Sequence, residues 1–266
     1  AISPADDIAR QIANAHTAFN VVNTLLFMPF TGLYIKFIEK CLPGKGEIIS
    51  RKPAYLDEKM LVTPSIAMGL AVKEMGNMAR HNVEVGMQAL EDKDENKIKY
   101  VLEHEPVIDA LEEDITRYLT KMSEKEMGAE LSAMHTRLLH ACTDIERIGD
   151  HGEALAKDAR RMFEDDVKFS EEAKTELRAL GELVMQASGK AMEALANNDK
   201  VLAQEAWDIC RQVKKAQKEI RKNHIVRLNE KRCDPVAGFM MMEILINLKR
   251  VSDHSKNISQ IVLGIF

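Results

Sequence analysis

Four carboxylates in the first half of the chain stand in pairs four residues apart, Glu105 with Asp109 and Glu146 with Asp150. On a helix that spacing puts both members of a pair on one face, about one turn apart. If the two helices are antiparallel neighbours, all four groups converge. Crowded carboxylates repel, and protonation, water or a bound cation relieves the repulsion. Oxygen ligands alone favour Mg or Ca, and a set completed by His151 also suits Mn, Fe or Zn. The plainer reading of Glu105 and Asp109 is a solvated face among Glu103, Glu112, Glu113 and Asp114. The plainer reading of Asp150 is a partner for Arg147 or a histidine that fixes helix register.

Arg147, Asp150 and His151 recur in register as Arg250, Asp253 and His254, at a constant offset of 103 residues. Apolar positions flanking the two segments match in kind, and Gly149 lies over Ser252. Met87 to Leu90 lies over Met192 to Leu195 at an offset of 105. The repetition implies duplication of a three-helix unit. The second copy has lost most of the carboxylates: Glu105 corresponds to Cys210, Asp109 to Lys214 and Glu146 to Lys249, and only Asp253 is kept. Lysines repel a cation, so one metal cluster is expected, in the first half.

The elements that must position these residues are helices. Apolar residues in 131–155 and 241–262 step by three and four, which gives each segment a narrow apolar seam for near-parallel packing. Helices are expected near 65–91, 95–122, 128–163, 172–197, 199–231 and 235–264, in an all-α bundle of two tandem repeats, about 65–165 and 170–266. Composition agrees: the chain has 266 residues, 45% hydrophobic and 30% charged, with few Gly and Pro. Its net charge of −5 lacks the overall basic footprint of a nucleic-acid binder. Cys41, Cys142, Cys210 and Cys233 form no metal-binding or disulfide spacing and read as small buried residues in a reducing compartment. No nucleophile motif, phosphate loop or zinc-protease motif is present, so an enzyme is not expected.

The front of the chain differs in character. Gln11 to Ile35 contains no Asp, Glu, Lys or Arg, and basic residues come after it, Lys36, Lys40, Lys45, Arg51 and Lys52. About 20 apolar residues cross a bilayer. Residues 1–42 therefore read as a membrane-type segment, in which Asn20, Asn23 and Thr24 bond to neighbouring helices. The basic residues would place the rest of the chain on the cytoplasmic side. The other reading is a packing helix of a soluble protein. Residues 43–64 read as a linker. The start, Ala1-Ile2-Ser3-Pro4, reads as a cut from a longer protein.

The segment Asp144 to His151 resembles the signature of the PhoU family, regulators of phosphate uptake built from two three-helix repeats. Glu219 to Leu228 and Cys233 to Gly238 resemble the PhoU-like tail of bacterial sodium/phosphate cotransporters. Ala15 to Phe30 resembles the last membrane segment of those transporters, and Tyr55 to Ser65 their linker. The resemblance implies a cytoplasmic regulatory domain of an inner-membrane sodium-dependent phosphate symporter. Sodium and phosphate would be carried by an upstream transporter core of the same protein, and a homodimer is a candidate assembly. The alternative is a free-standing PhoU-type adaptor. The family's E/D-x-x-x-D motifs bind divalent or iron-type ions, which by position implies Glu105, Asp109, Glu146, Asp150 and, more weakly, Asp253 as ligands. Arg147, His151, Arg250 and His254 are then signature and packing residues.

Overall fold

The computed structural model describes residues 8–30, 64–123 and 128–265, and the linker and Cys41 lie outside them. The chain divides into two units, Ala1–Ile48 and Ile49–Phe266. In the first, α1 spans Ile8–Phe27 and runs into a single 3-10 turn, Met28–Phe30. Its apolar side chains are uncovered, with Phe19, Val22, Leu25 and Met28 each more than half exposed. Thr24 donates to the Asn20 carbonyl at 2.8 Å, a bond within the helix. Among the described residues no helix is long and apolar enough to cross a membrane. The expected membrane-type segment is corrected in that respect. Asn14, His16, Asn20 and Asn23 dilute the twenty residues of α1, and Gly32 to Ile35 are not among those described.

The second unit holds six helices: α2 (Pro64–Asp92), α3 (Glu95–Ser123), α4 (Ala129–Glu164), α5 (Glu171–Asn197), α6 (Lys200–Asn229) and α7 (Pro235–Leu263). Each expected helix is found, with ends shifted by at most two residues. The ends obey capping chemistry. Ser170 accepts from the Ala173 N–H, Asp199 from Val201 and Leu202, and Asp234 from Val236 and Ala237 with Pro235 in the first turn. Asn198 and Gly264 close α5 and α7 in the left-handed conformation.

Helices α2, α3 and α4 pack on one another, as do α5, α6 and α7. Two contacts join the triplets, α4 on α7 and α2 on α5. One core runs through both, including Met75, Ile108, Leu111, Ile145, Ile148, Leu180, Met241 and Ile244. Cys142 and Cys210 are buried in it as small residues, whereas Cys233 is only half-buried. Burial pushes the Cys142 thiol up to about 12, which keeps it protonated and unreactive.

Glycine sets how closely α4 approaches its neighbours. A Cβ on Gly152 would stand 2.9 Å from backbone atoms of Asn82 and Val83 on α2. A Cβ on Gly149 would stand 3.1 Å from Ile108 Cδ1 on α3. These contacts fix α4, and with it Asp150, against the helix that carries Glu105 and Asp109.

Candidate metal centre

Glu105 and Asp109 lie one turn apart on α3, and Asp150 faces them from α4. Each offers an oxygen within 4.8 Å of the others, a spacing that a single cation can bridge. Of the five acidic residues that spacing and resemblance single out, the fold brings these three into one cluster. Glu146 sits beside the cluster, one turn before Asp150, with Arg147 Nε 3.4 Å from its carboxylate. Asp253 is in the other repeat, where Lys249 Nζ donates to it at 2.5 Å. It is no part of the cluster. A further acidic group that the spacing does not reveal, Glu153, adds its negative charge to both Glu105 and Asp109.

The electrostatics are those of a site short of positive charge. Burial, then the neighbouring Asp109, pushes the Glu105 carboxyl up to about 7, from an ordinary 4.5. Burial also raises Asp109 and Glu146, the latter further through Asp150. Arg147 donates to Asp150 at 2.9 Å and is the nearest internal counter-charge. Protonation of Glu105 is one way to relieve the repulsion, and a hard cation held by oxygen is the other. The donor set fits such an ion.

His151 takes no part, contrary to the ligand set that would have included it. Consecutive residues on a helix point about 100° apart, so Asp150 faces α3 while His151 faces α7. There His151 Nδ1 donates to Asn247 Oδ1 at 3.2 Å, and Asn247 Nδ2 donates to Asp158 at 3.1 Å. Across the same contact His254 Nδ1 donates to Asp144 Oδ1 at 2.8 Å, and Asn257 donates to the same oxygen at 2.9 Å. The two imidazoles stack with centroids 5.7 Å apart. Arg161 extends the network, bonding Asp158 and reaching Glu243 at 2.8 Å. The signature histidines thus each bond across the contact between the two repeats. Asp144 opens the signature segment, and its partner role, like that of Asn247 at the offset of 103, is not evident from the motif.

The equivalent place in the second repeat has changed sign. Cys210 is buried beside Ser252, Asp253 and Lys256, and burial raises its thiol. Lys256 Nζ lies 5.8 Å over the Trp207 ring. At the offset of 103 Lys256 corresponds to Glu153. Three lysines therefore stand where the first repeat has acids.

An all-helical bundle with two pseudo-symmetric triplets and one surviving acidic cluster defines a duplicated three-helix protein. The PhoU domain model matches residues 72–159 and 177–262, one match per triplet. The chain belongs to the PhoU domain family. It is 24% identical over 188 residues to the putative inorganic phosphate export protein YjbB of Salmonella typhimurium, covering 69% of this chain and 35% of that protein. The chain thus spans about a third of that relative's length. It is 25% identical over 193 residues to the phosphate-specific transport system accessory protein PhoU homolog of Pseudomonas aeruginosa, covering 71% of this chain and 78% of the relative. The crystal structure of PhoU from Pseudomonas aeruginosa superposes with a TM-score of 0.68 at 22% identity, covering 73% of this chain and 92% of that one. PhoU from Streptococcus pneumoniae gives 0.66 at 18%, covering 74% and 91%. These superpositions establish the fold.

Proposed function

We propose that this chain is a non-enzymatic regulator of phosphate transport, acting as a PhoU-type adaptor beside a transport system. The observation that carries this reading is the double family match, one on each triplet, with relatives named as accessory proteins of phosphate-specific transport. In this reading the α3–α4 carboxylates hold a divalent or iron-type cation. Glu105, Asp109 and Asp150 are its ligands, and Glu146 and Glu153 supply negative potential around it. A bound ion would supply charge neutralisation for the carboxylates that α3 and α4 turn toward each other. Glu105 must give up its proton to the solvent as the ion enters. The test is deletion of the gene in its own host. Phosphate uptake, or its response to external phosphate, should change, and re-expression of the chain should restore it. Unchanged uptake under both phosphate-rich and phosphate-poor conditions would refute the proposal.

A second reading, in which the bundle is the regulatory part of a longer sodium-dependent phosphate symporter, draws on two features. One is α1, whose apolar side chains are uncovered. The other is the match to one third of a phosphate export protein. Sodium and phosphate would then be handled by a transporter core upstream on an inner membrane. Sequencing the gene upstream of Ala1 decides between the readings. Several further apolar segments in frame favour the second, and an initiation codon close to Ala1 removes it.

A further inference from the structure

The charge inversion between repeats extends along the outer face of the second half of α6. That helix carries eight basic and three acidic residues. Its counterpart α3 carries four basic and seven acidic. Lys214, Lys215, Lys218, Arg221 and Lys222 step by three and four along one side of α6, and all are exposed. Lys222 has a loose partner in Glu219 at 3.9 Å. Among the described residues no carboxylate pairs with Lys214, Lys215, Lys218 or Arg221. At the offset of 105 the same positions on α3 hold Asp109, Ala110, Glu113, Thr116 and Arg117, and Arg117 lies 3.8 Å from Glu113 and 2.7 Å from Asp114. These exposed cations give a chain of net charge −5 a local positive surface, which attracts an anionic one.

The same stripe ends in bulky apolar side chains. Ile225 and Val226 continue it at the next turn of α6, 47% and 43% exposed. Val236 and Phe239 at the start of α7 are 54% and 62% exposed. The two groups share one end of the α6–α7 hairpin, where Gly238 packs on His224 and Leu228. Cations continued by exposed Phe, Ile and Val form the pattern that lies on an anionic bilayer, the cations at the headgroups and the apolar tips at the acyl boundary. A soluble polyanion would use the charges and leave the tips bare. The acidic α3 of a second copy is a poor match for the apolar tips, because among the described residues it exposes no large apolar side chain.

We infer that the outer face of α6, with the Val236–Phe239 tip, docks this protein on an anionic lipid surface. The inference rests on charge and exposure alone and does not depend on the regulatory reading.

The experiment is flotation of the full chain with vesicles of phosphatidylcholine alone and of phosphatidylcholine mixed with phosphatidylglycerol. The quantity read is the preference for the anionic vesicles. The apolar front of the chain, with Lys36, Lys40, Lys45, Arg51 and Lys52 after it, can also bind vesicles, so the α6 face is read from the change in preference between the wild type and a variant altered only on α6. The wild-type chain should prefer anionic vesicles, and high salt should abolish the preference. Joint replacement Lys214→Glu, Lys215→Glu, Lys218→Glu and Arg221→Glu should lower anionic-vesicle affinity about a hundredfold or more. The α3 control, Lys99→Glu with Arg117→Glu, should leave it intact. Phe239→Ser should lower affinity severalfold while retaining salt sensitivity. Circular dichroism of each variant establishes that the helices persist. Equal binding to both vesicle types, an unchanged preference in the quadruple variant, or equal losses in the α3 control would overturn the inference. Retention on heparin without vesicle binding would overturn it in favour of a soluble polyanion.

Discussion

His254 of the second repeat donates to Asp144 of the first across 2.8 Å, and the pseudo-equivalent pair, His151 and Asn247, spans the same contact in reverse at 3.2 Å. The pairing is reciprocal because α4 and α7 cross antiparallel about the stacked imidazoles. Each signature histidine therefore bonds the other repeat rather than its own. Desolvated hydrogen bonds to a charged group contribute about 1.5–3 kcal/mol. Asp144→Ala and His254→Ala should each lower unfolding stability by about that much. In a double-mutant cycle the losses should be non-additive. Strict additivity in urea denaturation would show that the contact carries no energy.

The approach of α4 to α2 depends on a missing side chain. Gly152→Ala places a methyl group 2.9 Å from the Asn82 and Val83 backbone, where no flexible atom can yield. Overpacking of this kind costs about 1–3 kcal/mol. Thermal denaturation should show a lower Tm for Gly152→Ala and none of that loss for Gly189→Ala, where a Cβ meets open space.

The acidic cluster should be asymmetric between repeats. Titration of Mn(II) by calorimetry should show Asp109→Asn and Asp150→Asn each losing about tenfold or more in affinity. Asp253→Asn should match the wild type, because Lys249 already occupies that carboxylate. Equal losses in all three variants would contradict a single first-repeat centre.

Glu105 gives the cluster a pH signature. Its folded-state pKa of about 7 lies above the ordinary 4.5, so between those values the folded chain holds a proton that the unfolded chain has released. Its contribution is present below about 4.5 and is lost as pH rises through about 7. Metal-free protein should therefore lose stability across that window, and Glu105→Gln should flatten the slope. Cation affinity should run the other way, rising with pH to about 7 and then levelling, since metal and proton compete for the same carboxylate. A metal affinity independent of pH across the window would remove Glu105 from the ligand set.

His224 is buried with neither ring nitrogen bonded among the described residues. Burial pushes its imidazole down, so it stays neutral near neutral pH. An unsatisfied buried polar group costs about 1–3 kcal/mol, and an apolar replacement of similar shape recovers part of that. His224→Leu should raise the urea midpoint. A fall would indicate that the ring is held by an ordered water or a partner.

The helices and the duplication are legible in the sequence because both are local or strictly periodic. Capping by Ser170, Asp199 and Asp234, the three-and-four apolar seams and the 103-residue offset need no tertiary information. The carboxylate pairs are legible too, since spacing by four fixes a shared face on any helix. Three things are decided by the fold. The approach of α4 to α3 chooses Asp150 over Glu146 as the third member of the cluster. The antiparallel crossing of α4 on α7 turns His151 away from the metal site and gives the histidines partners about a hundred residues away. Exposure decides which basic residues of α6 stand unpaired on one face. Sequence records which side chains share a helix face. Only packing determines the surroundings of that face, because direct contacts depend on how whole helices pack and not on the order of residues along them.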